Sequence, residues 1–191
     1  MSPQAYDDYV AGVSGWMLSI TSLLDLRHRE VIAACRRRGD SLELGERLRD
    51  LLAALPPRTE RSGQGALPAT RVAHRRLAQA VQEALNSGHL NDNVEDLARL
   101  VGASPKHLGR IFRRMTGHTI SEYRNDLRVR GVLERLADGG TPLAELAAAY
   151  GFADHSHLTR TVRKHLAETP SALGARLDTD LQAPDHQDPS V

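Results

Sequence analysis

From residue 93 onward the chain repeats itself at an offset of 49 to 50 residues, and this repetition narrows the fold more than any other feature of the sequence. Leu97, Ala98 and Gly102 recur 49 residues later as Leu146, Ala147 and Gly151. His107, Leu108, Arg110, Arg113 and the basic Arg114 recur 50 later as His157, Leu158, Arg160, Arg163 and Lys164. The one-residue change falls just after the glycines, where a turn absorbs an insertion without disturbing a helix.

Each copy reads as a helix, a tight turn and a second helix. In the first, Val94, Leu97, Ala98 and Val101 form an apolar stripe that stops at Gly102, and Ser104-Pro105 supplies an N-cap and a proline for the first position of the next helix. There Leu108, Ile111, Phe112 and Met115 share the inward face, which leaves Lys106, His107, Gly109, Arg110, Arg113 and Arg114 outward. Gly109 costs a helix about 1 kcal/mol, and an exposed position tolerates it where a ligand approaches the backbone closely. In the second copy, Thr141-Pro142 reads as cap and first residue of a helix through Leu143, Leu146, Ala147 and Tyr150. The chain turns at Gly151 and restarts at Asp154, with Leu158, Val162 and Leu166 inward and Ser156, Thr159, Arg160, Arg163 and Lys164 outward. Short hydroxyl side chains beside arginines suit a DNA major groove, where Arg reads guanine, Ser and Thr reach several base edges, and further cations meet phosphates. Between the copies, Thr119-Ile120-Ser121-Glu122 has capping-box spacing and opens a helix through Leu136. Its roughly 20 residues span about 30 Å, close to the ~34 Å between successive major-groove openings on one face of B-DNA.

Charge follows the same division. Residues 1–67 hold 9 basic and 9 acidic side chains, residues 68–177 hold 16 and 11, and residues 178–191 hold 4 acids and no base. A net +1 for the chain therefore hides a basic middle. The punctuation predicts a helical region over residues 1–55, a linker over 56–70, a double helix-turn-helix domain over 71–177 and a disordered acidic tail over 178–191. With seven aromatics in 191 residues, the core is expected from Leu, Ala and Val in an all-α fold.

In the N-terminal region, Val13, Met17, Ile20, Leu24, Val31 and Cys35 make one stripe, and Leu44, Leu48, Leu51, Leu52 and Leu55 a second. Two such helices bury only a thin core, so a partner is expected over residues 10–55, most simply a second copy in a homodimer. The alternative is that the pair packs on the chain's own C-terminal domain. Deleting residues 1–67 is then expected to leave a monomer that still reads a half-site. Cys35 sits on the apolar stripe and reads as an inert core thiol; one cysteine excludes an internal disulfide and a Cys-based zinc site. His155, His157 and His165 form no expected metal site, and no cofactor is implied. The longest apolar stretches fall short of a membrane span, and the acidic first eight residues do not read as a secretory signal, which points to the cytoplasm.

The ordered set Leu97-Ala98, Gly102, Ser104 through Arg113, Thr116-Gly117, Tyr123, Leu127-Arg128, Leu146-Ala147, Gly151 through Asp154, His157 through Arg160 and Pro170-Ser171 resembles the DNA-binding domain of AraC/XylS-type transcription regulators. The resemblance covers about residues 71–177. It implies two recognition helices in adjacent major grooves of double-stranded DNA, with base contacts from Lys106, Gly109 and Arg110 in the first and from His155, Ser156, Thr159 and Arg160 in the second. It also implies a non-enzymatic activator with RNA polymerase as a further contact. Val162 and Leu166 stand where the family pattern has aromatics and read as core substitutions. Members often carry a β-barrel sensing domain, which the 67 helix-patterned residues upstream cannot supply; these resemble the helical dimerisation end alone. Two other functions compete. A DNA-repair enzyme would need a reactive cysteine in a catalytic domain for which there is no room. A partner-binding helical anti-activator would turn the same basic faces to an acidic protein.

Overall fold

The computed structural model describes residues 20–37, 39–55 and 68–181. Among these the chain forms nine α-helices and no strand: α1 (Ser22–Arg36), α2 (Ser41–Ala53), α3 (Pro68–Asn86), α4 (Val94–Leu100), α5 (Pro105–Thr116), α6 (Ile120–Asp138), α7 (Leu143–Ala149), α8 (His155–Leu166) and α9 (Pro170–Leu181). A single 3-10 turn, His89–Asn91, joins α3 to α4.

The duplicated sequence becomes two helix-turn-helix units that share α6. Ser104 caps α5 by accepting from the His107 amide, and Asp154, 50 residues on, caps α8 by accepting from the His157 amide. Gly102 and Gly151 turn each unit at φ of +67° and +69°, a conformation that only glycine adopts without cost. Each unit has its own core. Leu97, Ala98, Leu108, Phe112 and Ile120 pack with Ala78, Val81 and Leu85 of α3. Leu146, Ala147, Phe152, Leu158, Val162 and Leu166 pack with Val129, Val132 and Leu133 of α6 and Leu173 and Leu177 of α9.

The repeat runs further than shared residue identities suggest. Thr119 and Thr169, 50 apart, are both N-terminal caps, accepting from the Glu122 and Ala172 amides. Leu173 and Leu177 of α9 stand 50 residues after Tyr123 and Leu127 of α6. A third helix therefore belongs to each unit, and α9 extends to Leu181, past the boundary at 178 that the charge pattern suggests. Residues 182–191, the rest of the expected tail, lie outside the described residues, as do residues 1–19 and 56–67. Two further boundaries differ from expectation. Helix α3 starts at Pro68, inside the expected linker, and α7 starts at Leu143 with Pro142 as its cap rather than its first residue, because Pro142 has an extended ψ of 141° although its φ of −59° would suit a helix.

Helix α5 ends at Gly117 with φ +84°, and α8 ends at the equivalent Ala167 with φ +60°, the one non-glycine residue of positive φ among those described. A left-handed alanine costs about 1–2 kcal/mol. Ala167→Gly removes that cost and adds about 0.4–1 kcal/mol of unfolded-state entropy, so a net gain of about 0.5–1 kcal/mol is expected in a urea melt. A loss of stability on substitution would refute it.

Helices α1 and α2 form the expected hairpin, but α1 does not stand apart. Leu26, 1% exposed, joins the core of the second unit. Asp126 of α6 accepts from the Ser22 amide at 2.8 Å and its hydroxyl at 2.6 Å, and also pairs with His165 of α8 at 3.4 Å. Arg176 of α9 pairs with the buried Glu30. The cluster that takes in Leu26 is the one where Val162 and Leu166 replace aromatics. Leu24 and Val31 are buried as the stripe predicts. Cys35 is exposed, a correction to its reading as a core thiol, because the α1 surface facing the domain is centred on Leu26 and Glu30 instead.

Candidate nucleic-acid interface

Neither α5 nor α8 contains a single Asp or Glu. Their outward residues lie where the periodicity puts them: Lys106, Arg110, Arg113 and Arg114 on α5, and His155, Ser156, Arg160, Arg163 and Lys164 on α8, are all exposed. Gly109, Thr159 and His107 are half-buried. Several arginines elsewhere in the protein are paired with acids. Arg27, Arg29, Arg37, Arg47, Arg99, Arg135 and Arg176 each lie within 4.0 Å of a carboxylate. Among the described residues, no cation of α5 or α8 other than His165 does so. Exposed arginines that can pair normally gain a little by doing so, and two helices kept free of acid hold their charge for something outside the molecule.

The local chemistry adds detail. The Arg110 guanidinium donates to His107 Nδ1 at 3.3 Å, and the His107 ring meets His74 of α3 edge-on at 6.0 Å. His157, its counterpart, accepts from the Ala153 amide at 3.3 Å and packs edge-on against Phe152 at 5.4 Å. Both histidines thus hold their helix starts in place. The Thr159 hydroxyl donates to the His155 carbonyl at 2.8 Å, so its oxygen is presented outward as an acceptor. Asp154 is spent on the end of its own helix: hydrogen bonds from the His157 and Ser156 amides and the charges of Arg160 and His155 hold its carboxyl below the usual carboxylate range, the His157 amide foremost. A cleft of about 640 Å³ runs beside α5, lined by Gly109, Arg110, Arg113, Arg114 and Ser121. A Cβ at Gly109 would meet nothing within 4 Å, so that position is open to an approaching surface.

The two faces are held in register by residues that periodicity does not mark. Arg124 donates to the Asp92 carbonyl at 2.5 Å, and Arg128 to Asn91 at 2.8 Å while lying 5.9 Å over the Phe152 ring. A Cβ at Gly151 would clash with the Asn91 side chain, and one at Gly131, midway along α6, with the Tyr150 ring. The loop ahead of the first unit therefore touches the turn of the second, and α6 carries both contacts. A glycine in the middle of an otherwise helix-favouring stretch was the available signal for this junction. Among the described residues no group of three His, Cys, Asp or Glu could hold a metal ion, and His157 and His165 are each engaged within the fold.

Residues 97–176 match the protein family described as a helix-turn-helix domain. Over 78 residues the chain is 30% identical to the multiple antibiotic resistance protein MarA of Escherichia coli strain K12, covering 41% of this chain and 61% of that protein. Over 99 residues it is 35% identical to the HTH-type transcriptional regulator RipA of Corynebacterium glutamicum, covering 51% of this chain and 30% of that one. The fold has a solved counterpart in a transcriptional regulator from Chromobacterium violaceum, described as containing an AraC-type DNA-binding domain. The TM-score is 0.52 at 22% identity, over 56% of this chain and 96% of that one. The match spans less than two thirds of either sequence relative, and α1, α2 and α3 lie ahead of the residues 97–176 that the family match covers. None of the described helices is long and apolar enough to cross a membrane.

Proposed function

We propose that this chain is a sequence-specific, DNA-binding transcription regulator that sets α5 and α8 into two adjacent major-groove segments. The observation that carries this reading is the pair of acid-free helices, capped alike, whose exposed cations have no carboxylate partner among the described residues. Lys106, Gly109, Arg110, His155, Ser156, Thr159 and Arg160 lie in the first two turns of their helices and contact bases; Arg113, Arg114, Arg163 and Lys164, further along, contact phosphates. The names of the relatives, which include a transcriptional regulator, support the same class, and activation with RNA polymerase as a further contact follows the family resemblance. A DNA partner also favours the cytoplasm.

The test is a fluorescence-anisotropy titration of the full chain on a mixed-sequence duplex over a range of salt. With the four phosphate contacts named, log K should fall against log salt with a slope of about −3.6 or steeper. Binding that is absent, or insensitive to salt, overturns the reading and leaves the anti-activator in its place.

The reading includes a homodimer through residues 10–55. In its support, α2 has no buried residue, Leu48 and Leu52 are exposed one turn apart along it, and Leu55 is exposed just past its end. Sedimentation that finds only monomer at every concentration would end the dimer and leave the DNA reading intact.

A further inference from the structure

We propose that Arg71 and Arg75 of α3 form a third contact with duplex DNA, gripping backbone phosphates beside the groove segment that α5 enters. This extension rests on the DNA-binding reading and uses residues ahead of the matched stretch 97–176.

Helix α3 carries its buried stripe, Ala78, Val81, Ala84 and Leu85, in its second half. Its first nine residues contain Arg71, His74, Arg75 and Arg76 and no acid; the first carboxylate is Glu83. His74 continues the buried stripe and meets His107, in the first turn of α5, at 6.0 Å. That contact brings the basic half of α3 alongside the end of α5 that faces the groove. The field there is positive: burial first, then the charges of His107, Arg114 and Arg110, hold His74 below the usual histidine value.

At 100° per residue, Arg71 and Arg75 stand about 60° and 100° to one side of His74, one turn apart, while Arg76 lies about 200° round on the far face. All three arginines are exposed and have no hydrogen bond or ion pair among the described residues. Two unpaired guanidiniums a turn apart, flanking a recognition helix, match successive phosphates on one strand. A contact of that kind adds affinity without adding sequence preference.

The experiment uses the full chain on a mixed-sequence duplex, comparing Arg71→Ala/Arg75→Ala with Arg76→Ala, which removes charge from the far face. In the double variant the slope of log K against log salt should shrink by about 1.8, two phosphates' worth, with equal weakening on every sequence and an unchanged melting temperature. Arg76→Ala should leave the slope as it was. A double variant with the parental slope, or an equal per-charge loss in Arg76→Ala, overturns the third contact while leaving α5 and α8 as readers. Absence of salt-dependent binding by the unmodified chain overturns the DNA reading and the third contact with it.

Discussion

Replacing Glu30 by glutamine is expected to cost about 3 kcal/mol of stability at neutral pH, the range seen when one partner of a buried ion pair is removed. Glu30 is 2% exposed and lies among cations: Arg27 donates to it at 2.8 Å, Arg176 of α9 pairs with it, and Arg47 of α2 stands 4.0 Å away. Arg176 is itself held between Glu30 and Glu168 at 2.9 Å. Burial opposes ionisation of Glu30, but the hydrogen bonds from Arg27 and Arg176 outweigh it, and its carboxyl titrates below the ordinary glutamate value of 4.5. A depressed folded-state value means that the stabilisation is complete above 4.5 and is lost as pH falls through the lower folded value. Urea melts of the parent should therefore weaken more steeply on acidification than those of the glutamine variant. Parallel pH profiles for the two proteins would show that Glu30 is not the group that ties α1 to the second unit.

The same contacts correct the expectation for the shortened chain. Removing residues 1–67 takes Leu26, Ser22 and Glu30 away from the second unit, uncovering its core and leaving Asp126 and Arg176 short of partners. Such a fragment is expected to melt lower than the full chain rather than persist as an intact half-site reader.

Which features could be read beforehand follows from how locally each is encoded. Caps, turn glycines and inward stripes depend on residues three or four apart, so Ser104, Asp154, Gly102, Gly151, Leu108 and Leu158 declared the two helix-turn-helix units and, by subtraction, their outward cations. Helix α9 escaped because Leu173 and Leu177 preserve only the character of Tyr123 and Leu127, and a repeat sought by identity fades there. The docking of α1 escaped for a different reason. An apolar stripe shows that a helix needs cover without naming what covers it, and Leu26, the residue most deeply engaged, lies off the stripe through Leu24, Val31 and Cys35. The brace between units, Arg124 to Asp92, Arg128 to Asn91 and Gly151 against Asn91, joins residues 32 to 60 apart, and no periodicity connects them.

Arg110→Ala and Arg160→Ala should each weaken specific DNA binding by about 1–3 kcal/mol and relax base preference at separate positions in the site. Both side chains are exposed, and they occupy equivalent places in the two units, yet their surroundings differ. Arg110 is tethered to His107 at 3.3 Å, which steadies it before DNA arrives. Arg160 has no hydrogen bond among the described residues, so it surrenders more side-chain freedom on binding. The larger loss is accordingly expected from Arg110→Ala. The two residues share no partner, so the double variant should lose close to the sum of the single losses. Selection of bound duplexes from a random pool, repeated for each variant, reads the result directly: a lost preference at one distinct position per arginine supports base contacts, with the two positions about one helical turn apart. Equal weakening on all sequences would make both arginines phosphate contacts and move the reading of bases to Lys106, Ser156 and Thr159. Relaxation at a single shared position would contradict two units reading adjacent segments, because the brace through Arg124, Arg128 and Gly151 fixes α5 and α8 on one body and gives each its own stretch of groove.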